Sequence, residues 1–305
     1  MTPSPGHPSR AWNWAALLLL AGSLVLGCSR DQSITIATFN ASLNRDRAGG
    51  LIEDLRGPDN AQARAVAEIV QIVRPDVLLL NEFDHDHDGE AVRLFHRNYL
   101  AVSQNGRPPI AYRYAYHAPV NTGVASGLDL DNDGRVVAAA GSRGYGNDCF
   151  GYGEFPGQYG MVLLSRFPID VEAARTFRLF LWKDMPDARL PRGPASGPWY
   201  DERELAALRL SSKSHWDIPL RIGPRILHVL ASHPTPPAFD GPEQRNVLRN
   251  HDEIRFWADY IDGPPHADYI YDDRGLRGGL SRDADGRPAP FVILGDLNAD
   301  PLDAN

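Results

Sequence analysis

Asp296 and Asn298, a carboxylate and an amide two positions apart, directly follow the run Phe291-Val292-Ile293-Leu294-Gly295. A short apolar run bounded by a turn signal reads as a strand buried on both faces. If the extended backbone continues through Leu297, both polar side chains point the same way. Such a pair suits holding a cation and orienting a water, yet Asp and Asn also build turns after strands. Gly295 marks either an unusual backbone angle or a close approach by a neighbour. The same pattern recurs upstream, where apolar runs end at Asn40, at Asn81-Glu82 and at Ser232-His233-Pro234. Glu and His are not turn formers, so turns alone do not explain the recurrence. Hard oxygen ligands with one imidazole and no thiolate favour Mg²⁺ or Mn²⁺ over structural zinc.

Each of these residues needs an element to carry it. Residues 33–40 alternate as a strand ending at Asn40, and residues 76–80 form a second strand leading to Glu82. Between them Ala61–Val73 places Ala65, Val66, Ile69, Val70 and Val73 at helical spacing, capped by Asp59 or Asn60 and stopped at Arg74-Pro75. Residues 159–165 form another strand. Residues 219–232 contain a hairpin-like pair whose second strand runs into His233. Residues 243–261 form an amphipathic helix presenting Val247, Ile254, Trp257 and Ile261. The stretches 120–160, 181–201 and 262–290 are irregular, and long irregular loops in a domain are commonly functional or mobile. Strands alternating with few helices indicate a mixed α/β sandwich rather than a regular βαβ array.

The chain has 305 residues, 43% apolar content and a formal net charge of −8, which is globular and unlike a polyanion binder with a basic face. A phosphate substrate is compatible with that charge, because a bound divalent ion makes an acidic site locally positive. Residues 15–26 are apolar but short for a membrane span, and Val25-Leu26-Gly27-Cys28 resembles a bacterial lipoprotein processing site. The expected organisation is a signal peptide over 1–27, a short segment over 28–32 lipidated at Cys28, and one domain over 33–305. An uncleaved N-terminal anchor is the alternative, and under both the body of the protein is exported. With Cys28 lipidated, Cys149 has no partner for a disulfide and reads as a structural thiol.

Ala37-Thr38-Phe39-Asn40, Leu79-Leu80-Asn81-Glu82, Tyr159-Gly160-Met161-Val162-Leu163-Leu164-Ser165-Arg166, Ser232-His233-Pro234 and Gly295-Asp296-Leu297-Asn298 stand in order along the chain. This ordered set resembles the successive signatures of the endonuclease/exonuclease/phosphatase superfamily. Deoxyribonuclease I-like nucleases, sphingomyelinases and inositol-polyphosphate 5-phosphatases share those signatures. The resemblance implies a four-layered α-β-β-α sandwich of two mixed sheets. It also implies metal-assisted, in-line attack of water on a phosphoester of nucleic acid, phospholipid headgroup or small-molecule type. Glu82 would then be the principal metal ligand, with Asn40 beside it at the metal or phosphate. His233 would donate to a non-bridging phosphate oxygen, Asp296 would orient or activate the water, and Asn298 would fix phosphate or nucleophile. Lys213 would be a basic contact to substrate phosphate, the alternative being a solvated strand end. The superfamily pattern continues with an aspartate-bearing strand and a Ser-Asp-His motif, which do not follow here. The expectation is therefore a fragment of a longer protein, inactive or nearly so by itself.

Two further segments carry weaker patterns. Asp129-Leu130-Asp131-Asn132-Asp133-Gly134 reproduces the first half of a calcium loop, but Ala140 stands where the bidentate Glu belongs. Asp129, Asp131 and Asp133 thus read either as a weak Ca²⁺ site or as a solvated acidic turn. Phe83-Asp84-His85-Asp86-His87-Asp88-Gly89 reads as a polar loop in preference to a second metal site. A non-catalytic cell-surface binding protein on the same fold is the competing functional class. No protein partner is implied, and the membrane would be met through the N-terminal lipid.

Overall fold

The computed structural model of the chain describes residues 33–193, 197–300 and 302. The expected signal peptide over 1–27 and the expected lipidation site at Cys28 lie outside the described residues. Within them, eight strands form two four-stranded sheets: β1 (Ile36–Leu43), β2 (Val77–Phe83), β3 (Tyr114–Tyr116), β4 (Met161–Ser165), β5 (Arg175–Thr176), β6 (His215–Ile222), β7 (Arg225–Ser232) and β8 (Phe291–Gly295). The first sheet has the order β1-β2-β4-β3 and the second β5-β6-β7-β8. Both are mixed: β1 runs parallel to β2 and β7 parallel to β8, while the other neighbours are antiparallel. The helices are α1 (Gly50–Arg56), α2 (Ala61–Val73), α3 (Glu90–Phe95), α4 (Arg143–Asn147), α5 (Glu202–Leu205) and α6 (Arg245–Asp262).

The burial pattern sorts these elements into four layers, because alternate residues of a strand face opposite ways. Leu78 and Leu80 of β2 and Val162 and Leu164 of β4 pack outward against Leu51 of α1, Val66 and Val70 of α2 and Phe95 of α3. Their neighbours Val77, Leu79, Met161 and Leu163 face inward and meet Trp216, Ile218, Val229 and Ala231 of the second sheet. On the far side Leu230 of β7 packs under Phe256, Trp257 and Tyr260 of α6, with Phe177, Phe180 and Trp182 completing an aromatic layer. The expected α-β-β-α sandwich is therefore the observed architecture.

Three local expectations are corrected. Helix α2 keeps its predicted bounds, with the Asn60 side chain accepting from Ala63 N at 3.0 Å. Its buried stripe, however, is Ala63, Val66, Ala67, Val70 and Gln71, while Ile69 and Val73 are exposed. Gln71 turns inward because its amide serves the carbonyls of Leu100 (3.0 Å) and Val102 (2.7 Å). Helix α6 buries Asn250, Asp252, Glu253, Phe256, Trp257 and Tyr260 rather than the predicted stripe, of which only Trp257 is buried. Strand β8 is covered on one face only: Leu294 is buried, but Phe291 and Ile293 are 37% and 40% exposed. It is a sheet-edge strand, and among the described residues no helix covers its outer face.

Candidate active site

Parallel pairing puts the C-terminal ends of β1 and β2 together in one sheet and those of β7 and β8 together in the other. The two sheets also touch there, through contacts of β8 with β1 and β2. Residues following such strand ends converge on one crevice.

A bulge shapes the first sheet at this place. Between the pairs Asn40–Asn81 and Leu43–Phe83, β1 advances three residues against two on β2. Glu82 lies opposite the bulge with φ of 57°, in the left-handed region that L residues rarely occupy. Backbone strain of this kind costs on the order of 1–3 kcal/mol and persists only where the surroundings hold it. In the second sheet Gly295 supplies the close approach: a Cβ there would stand 2.0 Å from the carbonyl oxygen of Ser232. Only a glycine lets β8 run tight against the end of β7, next to His233.

The extended conformation does not persist through Leu297. The strand ends at Gly295, Asn298 has φ of 50°, and Asp296 Oδ1 accepts from Asn298 N at 3.1 Å. Asp296 thus builds a turn with one oxygen and keeps the other for the crevice, so the turn and the site are the same object. Asp296 Oδ2 accepts from the Asn40 amide at 2.9 Å, and the same amide nitrogen donates to Glu82 Oε1 at 3.0 Å. Asn40 Oδ1 is turned to Ser42 N at 3.2 Å. One amide therefore bridges two carboxylates from different sheets.

His233 completes the group, with Nε2 3.9 Å from Asp296 Oδ2. Its Nδ1 is buried without a hydrogen-bond partner. Burial first, then the neighbouring Lys213 ammonium, hold this imidazole well below the ordinary histidine range, so it is neutral at pH 7. Asn298 donates its side-chain amide to Pro234 O at 3.1 Å. Lys213 is 6% exposed, which removes the solvated-strand-end alternative, and its ammonium lies 3.4 Å from Pro234 O. Burial pushes it down to about 8, opposed by the carboxylates of Glu253, Glu82 and Asp296.

Glu82, Lys213, His233 and Asn298 open together into a cleft of about 550 Å³, with Tyr159 and Arg249 also on its wall. Cys149 lines the same cleft, but burial pushes its thiol up to about 12 and its Sγ hydrogen-bonds Tyr145 O at 3.2 Å, so it has no thiolate to offer at neutral pH.

The other candidates fall elsewhere. Asp129 and Asp131 come together with Asp148, their oxygens all within 4.8 Å of one another, while Asp133 Oδ1 accepts from Arg135 N at 2.8 Å. In the 83–89 stretch, Asp84 accepts from Arg45 N and Tyr159 N, and Asp86 accepts from Glu90 N and Ala91 N at the start of α3. Those two carboxylates are occupied by the backbone. Asn250 and Glu253, which reach the backbone of three site segments from α6, escaped the sequence reading. Their one sequence signal is their i, i+3 spacing on the stripe that Phe256 and Tyr260 continue.

The Endonuclease/Exonuclease/phosphatase family model matches residues 37–305. No curated protein sequence matches the chain. Among solved structures, sphingomyelinase C from Streptomyces griseocarneus is similar at 17% identity and a TM-score of 0.43, covering 90% of this chain and 67% of that one. Beta toxin from Staphylococcus aureus, with bound magnesium ions, is similar at 12% identity and a TM-score of 0.41, covering 89% and 67%. An endonuclease/exonuclease/phosphatase from Beutenbergia cavernae is similar at 16% identity and a TM-score of 0.36, covering 73% of this chain and 42% of that one.

Proposed function

The chain belongs to the endonuclease/exonuclease/phosphatase family, and on that premise we propose that it is a divalent-metal-dependent phosphoesterase, working by in-line attack of water on a phosphodiester or phosphomonoester. The observation that carries this is the Asn40 amide joining Asp296 to Glu82, which lines a cleft that also holds His233 and Lys213. Two carboxylates drawn onto one amide are mutually repulsive, and a small hard cation relieves that repulsion. The donor set of Glu82 and Asp296 therefore fits Mg²⁺ or Mn²⁺, which Glu82 would hold as principal ligand with Asp296 beside it; Asn40 presents its amide nitrogen here and would join as a ligand through Oδ1 only with its amide turned over. When bound, the ion stabilises charge growing on the phosphate oxygens.

The remaining steps belong to the side chains. Asp296 aligns the attacking water and accepts its hydrogen bond. Neutral His233 donates through an N–H to a non-bridging oxygen, and Lys213 meets phosphate with full charge below its shifted pKa. Asn298 fixes the nucleophile or a phosphate oxygen. Although the chain is net acidic, Lys213, Arg143, Arg245 and Arg249 line this one cleft. Four cationic side chains against one carboxylate, Glu82, on a concave wall focus positive field onto an anionic substrate. Lipid headgroups, nucleic acids and small phosphate esters all present the group this machinery recognises.

Hydrolysis of bis(p-nitrophenyl) phosphate by the full-length protein, with and without EDTA, tests the activity. Absence of metal-dependent release of nitrophenolate from this and a panel of phosphomonoesters would overturn the enzyme assignment in favour of a phosphate-binding protein on the same fold. Export with a lipid anchor at Cys28 is part of the same proposal and rests on the sequence. Metabolic labelling with palmitate, lost in Cys28→Ala, is its check.

A further inference from the structure

Helix α6 buries a face that changes character along its length: Asn250 and Glu253 are polar, whereas Phe256, Trp257 and Tyr260 are aromatic. The aromatic half packs on the second sheet. The polar half contacts the chain segments that leave β7 and β8 and the segment that enters β6. Glu253 is 0% exposed. Its Oε1 accepts from Ser212 N at 2.7 Å and Ser212 Oγ at 3.1 Å, and its Oε2 accepts from Thr235 N at 2.6 Å. Asn250 is 6% exposed and donates its amide to Thr235 O at 2.8 Å and Leu297 O at 3.0 Å.

Those three contacted residues each neighbour a cleft residue. Ser212 precedes Lys213, Thr235 follows His233 by two positions, and Leu297 sits between Asp296 and Asn298. Neither Asn250 nor Glu253 lines the cleft itself. We propose that Asn250 and Glu253 are positioning residues, one turn of α6 clamping the Lys213, His233 and Asp296–Asn298 segments into a single working geometry. The inference rests on the phosphoesterase assignment for its kinetic consequence, but the clamp is a property of the fold.

A buried carboxylate is an expensive way to fill a helix face, since an apolar side chain would avoid the desolvation penalty. Glu253 contributes what leucine cannot: two oxygens that hold two separate backbone segments at a fixed spacing. Asn250 does the same with two N–H donors. Thr235 is the shared point, held by Glu253 through its N–H and by Asn250 through its carbonyl, so the three segments move as one. Charge adds to geometry, because Glu253 is the largest of the influences that oppose the loss of the Lys213 proton.

The test uses Glu253→Gln and Asn250→Ala in the full-length protein, with bis(p-nitrophenyl) phosphate and Mg²⁺. Both variants are expected to lower kcat about tenfold to a hundredfold, the scale of misplacing reacting groups by an ångström, and to change KM about twofold or less. Ile218→Val, in the layer between the sheets, is expected to lower the melting temperature without touching the clamp and to keep kcat. Unchanged kcat in both clamp variants, or an equal loss in Ile218→Val, would overturn the inference while leaving the phosphoesterase assignment standing. A wild-type protein without activity overturns that assignment instead, and the clamp is then read by amide hydrogen exchange. Asn250→Ala should raise exchange in residues 233–236 and 296–298 together, about tenfold or more, and leave β6 and β7 protected. Unchanged exchange in either segment overturns the clamp.

Discussion

Asn40 and Asp296 are 256 residues apart in sequence and joined by a 2.9 Å hydrogen bond across the two sheets. The same amide nitrogen holds Glu82, so Asn40 is the partner that both carboxylates share. Glu82→Gln and Asp296→Asn should each lower phosphoesterase kcat by on the order of a thousandfold. In metal-free protein Glu82→Gln should not melt below wild type, since its oxygen still accepts from Asn40 and one of two facing negative charges has gone, whereas Asp296→Asn keeps only one of the two acceptors that Asn298 N and Asn40 use and should melt lower. Asn40→Asp adds a third carboxylate and should destabilise the metal-free protein by about 1–2 kcal/mol, a loss that Mg²⁺ reverses. Thermal melts with and without Mg²⁺ read all three variants; a metal-independent melt of Asn40→Asp would show that no cation binds there.

Lys213 gives the pH dependence its sign. Burial lowers it to about 8, so the ammonium is present below that pH and lost above it. Rate on an anionic substrate should therefore fall as pH rises through about 8, and Lys213→Arg, which stays charged, should lose that alkaline limb. Stability moves oppositely. The unfolded lysine holds its proton to a higher pH than the folded one, so stability gains as pH rises from about 8 toward the ordinary lysine range. A kcat/KM profile with the limb intact in Lys213→Arg would exclude this group.

Gly295→Ala places a methyl 2.0 Å from the Ser232 carbonyl oxygen, which backbone cannot yield cheaply. A loss of about 2–4 kcal/mol in unfolding free energy is expected, together with loss of activity as β8 moves off β7. Denaturant titration of the variant measures the first and the nitrophenyl assay the second.

Cys149 should be inert. With its thiol pushed up to about 12 and 4% exposed, iodoacetamide at pH 7.5 is expected to leave the folded protein unmodified, with activity unchanged. Rapid stoichiometric alkylation, read by mass spectrometry, would contradict the buried placement.

Much of the fold is legible in the sequence, for reasons visible in particular residues. The bounds of α2 follow from Asn60 and Arg74-Pro75, because caps and proline act within a few residues of themselves. Glu82, His233 and Asp296 lie at or just past strand ends and show in the sequence as apolar runs that stop at chemically capable side chains; Asn40 does not end its strand, because β1 continues through the bulge to Leu43. Helix faces were harder. The inward stripe of α2 differs from the expected one because Gln71 reaches carbonyls 29 and 31 residues away, and α6 turns Asn250 and Glu253 inward instead of Val247 and Ile254. Periodicity weighs hydrophobicity alone, whereas a buried polar residue is placed by partners the helix itself does not contain.

By itself the sequence determined the family and the α-β-β-α layering and offered Asn40, Glu82, Lys213, His233, Asp296 and Asn298 as candidates, all of which rest on local patterns in a fixed order. Tertiary structure decided how they meet. It made Asp296 both a turn-former and a partner of Asn40, placed Glu82 in a left-handed backbone conformation opposite a bulge, buried Lys213, and recruited α6 to hold three loops. Those relationships span long separations and depend on sheet register and on burial, which exist only once the two sheets have packed.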